Sequence, residues 1–266
     1  MLSDSLAIVE SDDFDRRFGG LARLYGAKGA TRIHRSHAVV VGIGGVGSWT
    51  AEAFARSGVS EMTLIDLDHI ALSNVNRQIH ATSETLGQAK VLAMRDRIAS
   101  INPACKVQVI DDFLSPENLV ATLDPLRAGL VDGKTLAIVD ACDQVRTKVA
   151  LAAWARGNPV TFISVGAAGG KRLAHRVDCA DIGLITHDPL VAQMRYQLRR
   201  HHGAARTGHM GVQAVFSRDT VSKSMVAGSV AGDLNCHGYG STVAVTASFG
   251  MVAAGWCMDQ IAGSRA

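Results

Sequence analysis

The sequence predicts a doubly wound α/β fold: a Rossmann-like, mostly parallel sheet with helices on both faces and a C-terminal extension of mixed structure. From Arg32 to about Val165, apolar β-branched runs alternate with segments whose apolar residues recur at helical spacing. The first such run, "HAVVVG", passes straight into "GIGGVG", a glycine loop that opens a helix. With 266 residues, 47% of them hydrophobic, the chain is long enough to bury the core such a sheet requires.

The elements follow in order. "HAVVVG" is the first strand, "VGSWTAEAFARSG" the first crossover helix and "EMTLID" the second strand. "GQAKVLAMRDRIASIN" is a second helix that ends before Pro103, whose ring and missing N–H stop a helix. Further strands are "CKVQVIDD" near Cys105, "TLAIVDACD" near Leu136 and "PVTFISVG" from Pro159. "SVGAAGGK" is a turn, and the region from Leu173 onward is less periodic. The expected division is an N-terminal helical segment over 1–31, a nucleotide-binding domain over 32–170, and a region over 171–266 packed on the same core. No charged residue falls between Gly238 and Met258, a length that could span a bilayer. That stretch carries four Gly and four Ser/Thr around a Val- and Ala-rich middle, so it reads as a buried strand or packed helix.

A net charge of +3 is too small to mark a nucleic-acid binder by itself, so any such role rests on local clustering. Five cysteines at irregular spacing, behind an opening that reads "SDDFD", argue against a secreted disulfide framework and for a cytoplasmic protein.

Gly42, Gly44 and Gly47, with Gly45 between them, form G-x-G-x-x-G between a strand and a helix, and Asp66 ends the next strand. Bare backbone at a helix N-terminus receives phosphate, and a carboxylate about 20 residues on accepts ribose hydroxyls. Taken alone this fits a dinucleotide, or a glycine turn that only packs helix on strand. "DLDHIALSNVNRQIH" then sets Asp68, Asn74, Arg77 and Gln78 beyond the same strand end, with Lys90 following in "GQAKV". An Arg and a Lys added to a glycine cradle suit a triphosphate, whose negative charge grows during attack on its α-phosphorus. Asp143, in "IVDACDQVRTK", lies at the same sheet edge, where a carboxylate can hold Mg²⁺ against phosphates. Asp140 reads as structural, and Arg146 and Lys148 as simple charges at a helix start.

Carried together, "GIGGVG", "LIDLD", "LSNVNRQ", "GQAK" and "DACD" resemble the ubiquitin-activating-enzyme-like adenylyltransferases, which include the molybdopterin- and thiamine-synthesis activating enzymes. The resemblance implies that ATP and a carboxylic acid become an acyl-adenylate and pyrophosphate, after which a nucleophile displaces AMP. It places ribose on Asp66, phosphates on Asn74, Arg77 and Lys90, and metal on Asp143, so that Arg77, Lys90 and Asp143 carry the chemistry. Gly42, Gly44, Gly45, Gly47, Asp66, Asp68, Asn74 and Gln78 then bind the nucleotide. "RRFGGLARLYG", "NRQIHA", "INPACKVQVIDDF", "DPLVAQMRYQLR" and "CHGYGSTVAVTASFG" narrow the resemblance to the branch that dehydrates threonylcarbamoyladenosine beside the tRNA anticodon, which implies that the threonine carboxylate is adenylated and then attacked intramolecularly by its own carbamoyl group. That branch implies a homodimer, with residues 171–266 binding tRNA and forming the dimer contact, and leaves room for a sulfur-relay protein partner. Relatives that activate sulfur carriers hold zinc in paired Cys-x-x-Cys motifs, which Cys105, Cys142, Cys179, Cys236 and Cys257 do not form, so no zinc is expected. Many relatives place a cross-subunit Arg where this chain has Gly20, with Arg17 and Arg23 as the available substitutes.

From Pro189 to Arg218 there is no acidic residue, while Arg195, Arg199, Arg200 and Arg206 stand among His201, His202 and His209. Arg195 and Arg199 fall one helical turn apart, and the segment suits RNA phosphates unless it is a solvated face. Cys236 precedes a glycine-rich turn but is not assigned to catalysis, because intramolecular cyclisation needs no thioester. His69 and His80 flank the nucleotide motifs without becoming bases by location alone. The alternatives are activation of a ubiquitin-like sulfur carrier at its C-terminal glycine, a nicotinamide-dependent dehydrogenase, and a nucleotide-sensing RNA-binding protein. The dehydrogenase leaves Arg77, Lys90 and Asp143 without a task.

Overall fold

The computed structural model describes residues 13–130, 133–221 and 239–263. Seven strands form one sheet: β1 (His37–Val41), β2 (Glu61–Ile65), β3 (Lys106–Ile110), β4 (Leu136–Asp140), β5 (Thr161–Val165), β6 (Val177–Asp181) and β7 (Gln213–Ser217). Their order is β3-β2-β1-β4-β5-β7-β6, all parallel except β6, which runs antiparallel to β7 along one edge. The helices are α1 (Gly20–His34), α2 (Gly47–Arg56), α3 (Lys90–Ile101), α4 (Leu119–Ala128), α5 (Val145–Arg156), α6 (Pro189–His201) and α7 (Val243–Ala262).

The sequence explains the layers. β1 and β4 are buried from Ala38 to Val41 and from Leu136 to Asp140, as strands covered on both faces must be, and their Val- and Ile-rich runs suit that position. One face carries Ile33, Phe54, Met94 and Phe249, from α1, α2, α3 and α7. The other carries Leu123, Leu151, Met194 and Leu198, from α4, α5 and α6. The doubly wound architecture is therefore the observed one. β6, β7 and α7 join this same sheet and core, so the region after residue 171 is continuous with the domain before it.

The register sets up the functional edge. Val41 aligns with Ile65 and with Asp140, and Asp140 aligns with Ser164, so these strands end in step. Between β1 and β4 the winding direction reverses, which opens a crevice at the carboxyl ends of the strands. Gly42, Asp66 and Asp143 all follow strands at that crevice. The uncharged C-terminal stretch forms most of α7, a packed helix. Among the described residues no helix is long and apolar enough to cross a membrane.

Candidate functional site

The glycine loop is shaped by two close approaches. Gly42 has φ +86°, and a Cβ there would lie 2.9 Å from the backbone of Ala141 and Cys142, so only glycine lets the first strand pass the fourth. A Cβ on Gly47 would collide with the Gly42 carbonyl oxygen, which fixes where α2 begins. Nothing stands closer than 3.9 Å to the space beside Gly44, where the neighbour is Gln78 Nε2. The first turn of α2 holds no acidic residue, leaving its amide end free to favour an anion.

Asp66 turns into this loop. Its Oδ2 accepts from the Ile43 amide at 2.5 Å and its Oδ1 from the Asp68 amide at 2.8 Å. Burial raises its pKa, opposed by the Lys90 charge and by these two amides. Lys90, buried at the start of α3, donates to Asp68 Oδ2 at 2.6 Å and stands 3.9 Å from Asp66 Oδ1. Asp68 is largely exposed, so Lys90 has one partner that solvent or a ligand can replace.

The segment between β2 and α3 supplies the other cation. Asn74 Oδ1 accepts from the Ala71 amide at 3.0 Å, closing the 3₁₀ turn Leu72–Asn74. Arg77 donates to the Ser73 carbonyl at 2.6 Å and to Asn76 Oδ1 at 2.9 Å. Its stem lies against the loop: a Cβ on Gly45 would be 3.3 Å from Arg77 Cγ and Cδ and from Thr246 Cγ2. The Arg77 carbonyl accepts from Trp49 Nε1 at 3.0 Å and Thr246 Oγ1 at 3.4 Å, so α2 and α7 clamp this segment beside the glycine loop. Gln78 and His80 are buried, and Gln78 Oε1 and both His80 ring nitrogens have no hydrogen-bond partner among the described residues. Burial, reinforced by Lys90 and Arg97, holds His80 down to about 4. His69 is exposed and forms an isolated bridge with Ala89.

Beyond β4, Asp143 is exposed. Arg146 pairs with Glu117 at 3.1 Å, both side chains well exposed. Lys148 departs from its reading as a simple helix-start charge. It is fully buried and bonds Asp140 Oδ2 at 3.1 Å, the Asp140 carbonyl at 3.2 Å and Ser164 Oγ at 3.3 Å. Asp140 also accepts from Ser164 Oγ at 2.6 Å and Cys142 Sγ at 3.0 Å, a structural role as expected. The alignment of Asp140 with Ser164 across β4 and β5 creates this knot, and sequence spacing does not reveal it. Among the described residues no group of three or more His, Cys, Asp or Glu could hold a metal ion. A lone carboxylate such as Asp143 fits Mg²⁺ only where phosphates and water complete the shell.

The basic segment forms most of α6. Asp188 caps it, accepting from the Val191 amide at 3.0 Å, and its other oxygen accepts from Ala167 at 3.0 Å, which ties the start of α6 to the crevice edge. Its far end lies toward the opposite edge, where Arg156, at the end of α5, donates to the His202 carbonyl at 3.1 Å. Arg195 is committed to the Ile182 and Ile185 carbonyls at 3.0 and 2.7 Å, and Arg199 Nε to Ala205 at 3.0 Å. Arg200 is exposed against Tyr196, and Arg206 is exposed. Thirteen residues at about 1.5 Å each put roughly 20 Å between the two ends of α6.

Arg17 is bound to Asp13 at 2.8 Å and to the Ile101 carbonyl at 3.2 Å, while Arg23 is exposed one turn beyond Gly20. Cys236 lies outside the described residues. Burial pushes the Cys105 thiol up to about 12 and raises Cys142 and Cys257 as well, so none of the three is a ready nucleophile.

The ThiF family matches residues 16–261. Over 94% of this chain and 95% of the relative, the sequence is 39% identical to tRNA threonylcarbamoyladenosine dehydratase of Haemophilus influenzae. The crystal structure of the Escherichia coli tRNA N6-threonylcarbamoyladenosine dehydratase in complex with AMP is similar with a TM-score of 0.84 and 38% identity, covering 95% of this chain and 96% of that one. Its complex with ATP gives 0.83 with the same identity and coverage. A sulfur carrier protein adenylyltransferase of Thermus thermophilus is 30% identical over 52% of this chain and 48% of its own length.

Proposed function

The chain belongs to the ThiF family, and from that premise we propose that it is an ATP-dependent enzyme that dehydrates threonylcarbamoyladenosine in tRNA. The observation that carries this is near full-length similarity to enzymes of that activity, one solved with ATP and with AMP, joined to a crevice in which Arg77, Lys90 and Asp66 surround the glycine loop. A threonine carboxylate oxygen attacks the α-phosphorus of ATP and pyrophosphate leaves. The carbamoyl group of the same nucleoside then attacks the acyl carbon, AMP leaves, and the ring closes with the elements of water removed.

Each residue has a task in this scheme. Gly42, Gly44, Gly45 and Gly47 let backbone amides and the α2 N-terminus approach the phosphates. Asp66 takes the ribose hydroxyls, its position held by the Ile43 and Asp68 amides. Lys90 leaves Asp68 for phosphate, and Arg77 and Lys90 stabilise the charge that grows on the α-phosphorus in the transition state. Asn74 holds the turn that presents Arg77, and buried Gln78, whose side-chain nitrogen is the neighbour beside Gly44, offers a polar contact there. Asp143 would hold Mg²⁺, whose charge would neutralise the phosphates. Arg195, Arg199, Arg200 and Arg206 serve tRNA, with the exposed Arg200 and Arg206 meeting phosphates and Arg195 bracing the helix. The scheme assigns 1–31 to a helical lead-in, 32–170 to ATP, and 171–266 to tRNA and to a homodimer contact, in a cytoplasmic protein open to a sulfur-relay partner.

The test incubates the protein with ATP, Mg²⁺ and threonylcarbamoyl-modified tRNA and weighs the digested nucleoside. ATP-dependent loss of one water is the expected result. AMP formation without that loss would turn the search to the C-terminal glycine of a ubiquitin-like sulfur carrier.

A further inference from the structure

Among the described Phe, Trp and Tyr residues three are exposed: Phe113, Tyr196 and Tyr239. Tyr196 belongs to α6 and is engaged by Arg200. Phe113 lies on the Asp66 side of the crevice, three residues past Ile110, whose carbonyl accepts from the Asp66 amide at 3.2 Å. Tyr239 lies on the other side. Its neighbour Gly240 accepts from the Gly170 amide at 2.9 Å, and Ser241 accepts from Asn76 Nδ2 at 3.0 Å. The chain at Tyr239 is thus pinned both to the turn beyond β5 and to the residue preceding Arg77.

The residue facing Tyr239 is glycine: a Cβ on Gly169 would sit 3.6 Å from Tyr239 Cβ. Arg172 is exposed a few residues on, its backbone amide fixed by Asp219 at 2.8 Å. A tyrosine 40% exposed on an anchored backbone, with an exposed arginine three residues past the glycine it faces, has the make-up of a stacking surface for a nucleobase.

We propose that Tyr239 is a nucleobase platform for the tRNA anticodon loop, positioning the acceptor adenosine on the β5 side of the glycine loop. This rests on the tRNA reading above. Adenosine of ATP seated on Asp66 occupies the β2 side, so the acceptor nucleoside enters from the side where Tyr239 and Arg172 stand. A base in a single-stranded loop is unstacked before it reaches a deep crevice, and an aromatic face replaces the stacking it gives up. Tyr239 acts by positioning and touches no transferring group.

The experiment measures Kd for modified tRNA by filter binding, and Kd for ATP, with the full chain carrying Tyr239→Ala, Tyr239→Phe or Tyr239→Trp. Tyr239→Ala is expected to weaken tRNA binding about tenfold with ATP binding unchanged, while Phe and Trp keep wild-type affinity. Competition by the free modified nucleoside identifies the base. If Tyr239→Ala weakens the nucleoside too, the platform takes the modified adenine; if only tRNA is weakened, it takes a flanking base. Unchanged tRNA affinity in Tyr239→Ala overturns the platform alone. So does equal loss of ATP and tRNA binding, or a Tyr239→Phe variant as weak as Tyr239→Ala. Absence of tRNA binding by the wild-type chain overturns the parent reading and the platform with it.

Discussion

Lys148 and Lys90 both stand near the start of a helix and beside an aspartate that ends or follows a strand, and both are buried, yet their surroundings differ in kind. Lys148 meets Asp140 and Ser164, every partner inside the protein and none exposed. Lys90 meets Asp68, which is 68% exposed, and stands 3.9 Å from Asp66. A cation whose partners are all internal can only hold the sheet together. One whose closest partner faces solvent at a crevice can exchange that partner for phosphate. Completeness of pairing, more than burial, separates the structural knot from the proposed chemical one.

The sharpest way to break the comparison is to truncate each lysine. Lys148→Ala leaves the Asp140 carboxylate buried without its cation, which should cost about 3–5 kcal/mol and lower Tm by roughly 10 °C. Calorimetry checks it, and a melt within a degree or two of wild type would show that Asp140 does not depend on Lys148.

His80 gives the next effect in size, because Lys90 and Arg97 add to the burial that holds it at about 4. The sign follows from the unfolded chain, where a histidine titrates near 6.5. Between about 6.5 and 4 the unfolded state binds the proton that the folded state refuses. Stability is therefore intact above that window and falls by roughly 3 kcal/mol as pH drops through it. Denaturant melts at pH 7 and pH 4 should differ by that much more in the wild type than in His80→Leu. Equal slopes would mean that His80 takes up its proton in the folded state.

Lys90→Ala should act on chemistry instead. Loss of one preorganised charge at the reacting phosphate lowers turnover about a hundredfold or more, while the melt falls less than in Lys148→Ala, because Asp68 is already exposed and Asp66 keeps the Ile43 and Asp68 amides. AMP release under saturating ATP checks the rate. A variant that melts early and turns over normally would make Lys90 a second structural lysine.

What the sequence disclosed follows the same division. The glycine loop, Asp66 and the strand and helix alternation are local, each visible within a single strand–turn–helix stretch. The Asp140–Lys148–Ser164 knot depends on which strand lies beside β4, and the antiparallel place of β6 depends on how the chain returns after α6. Neither is encoded at short range. Asn76 and Thr246, which tie the Arg77 segment to the end of the chain, both lie in stretches that carry the resemblance, but 170 residues separate them and the sequence does not show that the two stretches meet. The uncharged stretch was ambiguous because a helix covered by α2, α1 and the sheet needs the same apolar surface as one covered by lipid.

The basic helix offers the finest distinction. Arg195 and Arg200 share α6, but Arg195 satisfies two backbone carbonyls whereas Arg200 has an exposed guanidinium against Tyr196. By the rule drawn from the lysines, the first is structural and the second available. Replacing Arg199 and Arg200 by Ala should weaken tRNA binding several-fold and reduce the salt slope of log K by about one for each phosphate no longer neutralised, with ATP binding unchanged. Arg195→Ala should leave that slope alone and lower Tm modestly, since two carbonyls lose their donor. Affinities measured across a salt series separate the two. If Arg195→Ala flattens the slope as much as the double variant does, then internal pairing does not withhold a cation from RNA, and the rule holds for buried lysines only.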